Sequence, residues 1–297
     1  MNRALKIAIQ GGPASFHETV AKELFAGAAI STLPCDSFPE LCQTLESGLV
    51  DYAVMAVQNS LAGPLLPNYR LMAQHGLSIT AERWLLLDQT LMALPGQKLE
   101  DITQIWSHPI ALLQCCDYLK SLSGVNTKET ADTADTARMI KEGQIKGVAA
   151  IASRKAAELY GIEVLHDNVA NDVENYTRFV VLSRQQPSKV ANKVTLLLPY
   201  PVVKFSLENI LEKVENCQLE LTMLQSLPAL NPGQPAAWVV ELEGDQAACI
   251  TQALAALQTV SPKLTVLGLY PKAESPLPQE RLAGCLSEIL QAQPELI

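Results

Sequence analysis

Residues 174–180 read ENYTRFV, a polar stretch that runs straight into the apolar segment FVVLS. Either Thr177 is there as a β-branched strand starter and Arg178 as a solvated flank, or the pair has a stronger role that the rest of the chain must show. Three other places carry similar chemistry. Gln58, Asn59 and Ser60 follow the apolar run YAVMAV, Ser107 stands before PIALLQC with Gln114 seven residues on, and Ser15 lies in QGGPASFHE ahead of a helical pattern. All are neutral hydrogen-bonding groups at junctions between strand and helix, where unpaired backbone N–H groups and the helix dipole favour an anion. Such a set can hold a multiply anionic small molecule while supplying little acid–base or nucleophilic machinery.

The elements that must position these residues alternate. KIAI (6–9), YAVMAV (52–57), candidates within 77–94, VAAIA (148–152), EVL (163–165) and FVVL (179–182) read as strands. Helical patterns fall near 17–26, 39–47, 64–74, 109–121, 134–142 and 154–160. This order predicts an α/β sheet with helices on its faces, a class in which strand-to-helix junctions gather along one crevice. Ser15 and Glu18 have the spacing of a capping box, Ser107 is expected to cap a helix with Pro109 in its first turn, and Ser153 and Gly161 bracket another. The polar segment RQQPSKVANK (184–193) marks a boundary. Beyond it VTLLL (194–198), a helix at 206–216, LELTMLQSL (219–227), AWVVELE (237–243), a helix at 246–258 and LTVLGLY (264–270) give the βαββαβ order of a ferredoxin-like unit. The expected domains are 1–184 and 193–272, followed by a peripheral tail at 273–297.

Composition limits the partners. The 297 residues are 48% hydrophobic, enough for two cores, and carry 22 basic and 31 acidic side chains, a formal charge of −9. The basic residues are scattered, which argues against nucleic acid or an anionic membrane. Seven cysteines without framework spacing and four dispersed histidines predict free thiols and no metal site. Neither a dinucleotide glycine fingerprint nor a P-loop occurs, so no nucleotide cofactor is expected. The opening MNRALKIAIQGG has too short an apolar run for a signal peptide, and a cytoplasmic protein is expected.

QGGPASFHE, DYAVMAVQNSLAG, SHPIALLQC, AAIASRKAAELYG and NYTRF, in this order, resemble the prephenate dehydratases of phenylalanine biosynthesis. The βαββαβ unit resembles the ACT regulatory domain those enzymes carry, so the likeness spans roughly residues 5–270. It implies a catalytic part shaped like the type II periplasmic binding proteins, with lobe one at about 1–80 and 166–183 and lobe two at about 81–165. It further implies that Thr177 is catalytic, helping the ring hydroxyl of prephenate leave as CO₂ departs and the ring becomes aromatic. Asn59, Ser60, Ser107, Gln114, Phe179, Ser15 and Gln58 are implied to line the substrate site, and Arg178 either neutralises a carboxylate or holds its strand in place.

Some positions depart from the family pattern. Gln58 stands where a glutamate is usual, and Ala14 where a glycine is common. The effector motifs correspond to Phe205, Ser206 and Leu207 and to Gln225, Ser226, Leu227 and Pro228, which lack the usual glycine and arginine. Phenylalanine binding that is absent, weakened or differently shaped is therefore expected, in a domain that still assembles a homodimer or homotetramer. Three alternatives stay open: arogenate dehydration, decarboxylation without aromatisation (against which Thr177 argues), and a catalytically silent amino-acid sensor.

Overall fold

A computed structural model describes residues 3–185, 191–200, 212–214, 216–229 and 236–276. The first lobe begins with β1 (Leu5–Gln10), α1 (Phe16–Leu24), β2 (Ile30–Cys35), α2 (Phe38–Glu46) and β3 (Tyr52–Asn59). Here β1 lies between β2 and β3, parallel to both. The two-residue β4 (Gly63–Pro64), α3 (Leu66–Gln74) and β5 (Ser78–Leu86) follow. The second lobe contains β6 (Thr90–Ala93), β7 (Gln104–Ser107), α4 (Pro109–Gln114), α5 (Cys116–Ser121), β8 (Asn126–Glu129), α6 (Thr133–Glu142), β9 (Val148–Ala152), α7 (Arg154–Tyr160) and β10 (Glu163–His166). Its sheet runs β10-β6-β9-β7-β8.

The chain then returns to the first lobe as β11 (Tyr176–Ser183), inserted between β3 and β5 and antiparallel to each. Two crossings join the lobes. The first falls between Leu86 and Thr90, later than the expected limit near residue 80, because β5 stays paired to β11 as far as Leu86. Continuous apolar runs such as YAVMAV and VAAIA are buried because helices cover both faces of these sheets.

Local chemistry sets the helix starts. Ser15 accepts from the Glu18 N–H while the Glu18 carboxylate accepts from Ala14 N at 2.8 Å, an exchange that closes the first turn of α1. Ala14 itself has φ 63°, a left-handed conformation that costs an alanine about 1 kcal/mol. Ser153 caps α7 and also donates to the Ala14 carbonyl at 3.0 Å, linking the lobes at that bend. The cap of α4 is His108 rather than Ser107: the imidazole accepts from Ile110 N, whereas Ser107 ends β7.

The C-terminal part comprises β12 (Lys193–Tyr200), β13 (Glu220–Leu227), β14 (Ala236–Glu243), α8 (Ala247–Val260) and β15 (Thr265–Tyr270), with residues 212–214 helical. The strand order β13-β14-β12-β15 is that of a ferredoxin-like sheet. Phe205, Ser206, Leu207 and residues 277–297 of the tail lie outside the described residues. One face packs Val194, Leu196, Val240 and Leu242 against Ile250, Ala253 and Leu257 of α8. The other face packs Leu197, Met223, Leu227, Val239 and Tyr270 against Tyr69 and Met72 of α3 and Ile79 of β5. The sheets become continuous where Gly268 of β15 pairs with Ile79, and there a Cβ would lie 2.6 Å from the Ile79 carbonyl oxygen, so only glycine fits without movement.

A charged cluster sits inside this joint. The Arg178 guanidinium is 1% exposed and forms a bidentate pair with Glu241 at 2.7 and 2.7 Å, with further bonds to Glu82 at 3.1 Å and the Tyr69 hydroxyl at 3.0 Å. Lys193 lies 3.2 Å from Glu82 and 2.8 Å from Glu243. Burial alone would raise the Glu241 pKa, but the charges of Arg178 and Lys193 outweigh it and bring the pKa down to about 2. Removing one partner from a buried cluster leaves an uncompensated charge, so Glu241→Gln is expected to cost about 3–5 kcal/mol of stability at pH 7. With a folded pKa near 2 against an ordinary 4.5, this contribution is complete above pH 4.5 and disappears as pH falls through 2. Urea denaturation of both proteins across that range should show the gap closing on acidification.

Candidate active site

A cavity of about 290 Å³ lies where the two lobes face each other. Gln10, Ser15, His17, Asn59, Thr177 and Phe179 line it from the first lobe; Gln89 lines it at the crossing, and His108, Gln114, Asp132 and Thr133 from the second. Apolar wall comes from Phe16, Phe38, Leu65, Leu87 and Ile110.

Thr177 owes its place to register. It lies opposite Asn59 across the β11–β3 ladder, while Arg178 lies opposite Gln58, so the period-two alternation puts Thr177 on the cleft face and Arg178 on the other. The Asn59 amide is oriented by two backbone donors, Leu61 N at 3.0 Å and Ala62 N at 2.9 Å, which fill its oxygen. Its Nδ2 therefore donates, to the Asn175 oxygen at 2.8 Å, the Tyr176 carbonyl at 3.1 Å and Thr177 Oγ1 at 2.9 Å. Because Thr177 Oγ1 accepts from Asn59, its own hydrogen remains available for donation, and the residue lines the cavity. Further along the chain of amides, Gln114 Oε1 accepts from Asn175 at 3.0 Å and from Gln89 at 3.2 Å. That orientation turns the Gln114 NH₂ into a free donor on the opposing lobe.

The structure thus brings Thr177, Asn59, Gln114, Phe179 and Ser15 together and sets four expected residues elsewhere. Ser60 donates to the Glu174 carbonyl at 3.0 Å and accepts from Tyr176 N at 2.9 Å, fastening the end of β3 to the start of β11. Ser107 is fully buried and donates to the Ile151 carbonyl at 2.6 Å, inside the second lobe's sheet. Arg178 and Gln58 border a separate cavity of about 390 Å³ at the joint with the C-terminal sheet, shared with Glu82, Lys193 and Glu241. Of the two roles left open for Arg178, its geometry is that of the strand anchor.

Sequence reading missed Asn175, Gln89, His17 and Asp132. Asn175 stood inside the quoted ENYTRFV, and Gln89 sits where the chain crosses between lobes, a place where cleft residues accumulate. His17 is packed edge-on to Phe179 at 4.9 Å and against Phe38 at 5.7 Å, and its Nε2 has no hydrogen-bond partner. Burial lowers its pKa to about 3, so it faces the cleft as a neutral ring. Burial also lowers the His108 pKa, though Asp132 and Glu129 oppose it, and burial raises that of Asp132. No group of acidic, histidine or cysteine side chains among the described residues has the arrangement of a metal site, and no described helix is long and apolar enough to cross a membrane.

The prephenate dehydratase family model matches residues 7–187, more than half of the chain. This chain belongs to the prephenate dehydratase family. It is 35% identical over 292 residues to arogenate dehydratase/prephenate dehydratase 6 of Arabidopsis thaliana, an alignment covering 92% of this chain and 70% of the relative. It is 30% identical to the bifunctional N-acyl-homoserine lactone acylase/prephenate dehydratase of Komagataeibacter europaeus, covering 91% and 97%. The crystal structure of an Arthrobacter aurescens prephenate dehydratase in complex with L-Phe superposes with a TM-score of 0.80 at 23% identity, covering 97% and 98%, and shares the fold.

In this member of the family the neutral state of His17 has a measurable consequence. Its pKa is 6.5 ordinarily and about 3 when folded, so the unfolded chain takes up a proton in that interval that the folded chain refuses. Stability from this position is full above pH 6.5 and falls on acidification. His17→Phe, which keeps the ring packing, is expected to gain on the wild type by about 2–3 kcal/mol between pH 7 and pH 4.5, read from paired urea denaturation curves.

Proposed function

We propose that the chain converts prephenate to phenylpyruvate, CO₂ and water in phenylalanine biosynthesis. The observation that carries this reading is the Thr177 hydroxyl, which lines the cleft and accepts from Asn59 at 2.9 Å, keeping its hydrogen available to a ligand. In the reaction the bond from the ring to its carboxylate breaks, and the electron pair enters the ring. The bond to the ring hydroxyl breaks at the opposite carbon, and the oxygen leaves as water after gaining one proton overall. Aromatisation supplies the driving force. The protein has to orient the substrate and stabilise the departing oxygen, which a positioned donor in a dry site can do. Asn59 sets the direction of the Thr177 hydroxyl, Gln114 offers an NH₂ from the other lobe, and the apolar walls keep water away from the ring.

The same reading gives the C-terminal sheet the role of an ACT-like regulatory domain, with phenylalanine as effector and β13, at the end of the sheet, as an edge for pairing subunits into a homodimer or homotetramer. Its Gln225–Pro228 segment is tied to the first lobe, since Arg70 donates to the Pro228 carbonyl at 2.7 Å and Leu227 is buried in the joint. Calorimetric titration is accordingly expected to give phenylalanine binding weaker than micromolar; tight binding with cooperative inhibition would show a working effector site.

Incubating the purified protein with prephenate and following phenylpyruvate tests the catalytic reading directly. Thr177→Ala is expected to fold, because Asn59 Nδ2 keeps Asn175 and Tyr176 as acceptors, and to lose turnover by at least about a hundredfold. Thr177→Ser should retain part of the activity. An alanine variant with wild-type turnover would remove Thr177 from the mechanism.

A further inference from the structure

Charge is distributed around the cleft in a way that bears on the substrate as well as on the reaction. Asp132 is the one carboxylate in the cavity lining among the described residues, and no lysine or arginine lines it. The guanidinium nearest in sequence to Thr177, that of Arg178, is on the far side of β11 and engaged by Glu241 and Glu82. Both lining histidines have pKa values lowered by burial. A cleft of this kind holds an anion through neutral donors and helix N-termini, and it carries a carboxyl group of its own, whose pKa burial raises.

Asp132 is placed to meet a ligand. It caps α6 from the second lobe, with Oδ1 accepting from Asp135 N at 2.8 Å. Its other oxygen reaches over Gly11 on the first lobe, so closely that a Cβ there would lie 2.5 Å away, and Gly11 has a φ of 83°. The carboxylate therefore stands between the lobes with acceptor capacity left after the cap is made.

The two substrates of this reaction class differ at one group. Prephenate carries a keto oxygen on its side chain, an acceptor that a carboxylate repels. Arogenate carries an ammonium in that place, three donors with a positive charge. We infer that Asp132 reads this group and makes the cleft prefer arogenate, the ammonium-bearing substrate, over prephenate. The inference rests on the proposed function, whose chemistry at the ring is the same for both compounds, and adds arogenate as the better substrate. The ammonium also supplies the positive charge that the lining lacks, and reduces the ligand's net charge from two negatives to one.

Initial rates of the full-length protein with each compound, for wild type and Asp132→Asn, provide the test. Asparagine is as good a helix cap as aspartate and has nearly its shape, so the change removes the charge and keeps the turn. The wild type is expected to show a kcat/KM for arogenate at least about tenfold that for prephenate, the scale of one charge-assisted hydrogen bond, and Asp132→Asn should lower that ratio by a similar factor. A ratio unchanged by the substitution, or a wild type that favours prephenate, overturns the inference while leaving the reaction class intact. Turnover of neither compound overturns the proposed function instead; equilibrium binding of the same two compounds to both proteins then reads the Asp132 preference by the same ratio.

Discussion

The bidentate pair between Arg178 and Glu241 is the contact on which the arrangement of the molecule turns. A guanidinium does not give up its proton, so burying one commits the fold to burying partners for it. Those partners come from three elements: Glu82 from β5, Tyr69 from α3 and Glu241 from β14. The C-terminal sheet must therefore dock against the first lobe in one particular position. Because residues alternate across a strand, the same requirement decides which way Thr177 points. Residue 178 faces the joint, so residue 177 faces the cleft.

This coupling of faces makes β11 intolerant of slippage. A shift by one residue would carry a guanidinium into the apolar cleft and a threonine into a nest of carboxylates. The strand is held on both edges, by β3 and β5, and Ser60 pins its first residues to the end of β3. A hydroxyl that is to stabilise a leaving group must be fixed to within a fraction of an ångström. Here the precision comes from a central strand, an amide chain from Asn59 to Gln114, and an ionic joint on the reverse face. The joint also means that the strand carrying Thr177 is in direct contact with the C-terminal sheet, with no intervening layer.

Much of this was legible in the sequence, for identifiable reasons. Strand-to-helix junctions announce themselves by serine, proline and glycine, and so the caps at Ser15 and Ser153 and the terminating Gly161 were readable. Thr177, Asn59 and Gln114 were readable as site residues through the resemblance of their motifs to the prephenate dehydratases, the residue types alone saying only that neutral donors gather at these junctions. Arg178 and Gln58 were not, because alternation tells which residues share a face and not what lies beyond it. The partners of Arg178 are distant in sequence, in segments read as ordinary strand. His17 and Asp132 were hidden by adequate local explanations, one a residue in a helix's first turn and the other a helix cap. His108 took the cap expected of Ser107 because Ser107 is still the last residue of β7.

Among the described residues no lysine or arginine lines the cleft, and this suits the way charge moves in the proposed reaction. The ring carboxylate begins with a full negative charge and ends as neutral CO₂, while the departing oxygen gains the electrons. A cation held against that carboxylate would stabilise the starting state more than the transition state and slow the step. Neutral donors grip it with less bias. On the proposed function the hydrogen bond that counts is the one from Thr177 to the departing oxygen, which meets charge that appears only as the bond breaks. The Arg178 guanidinium is kept on the reverse face of β11 with Lys193, where the two hold the domains together and stay out of the cleft.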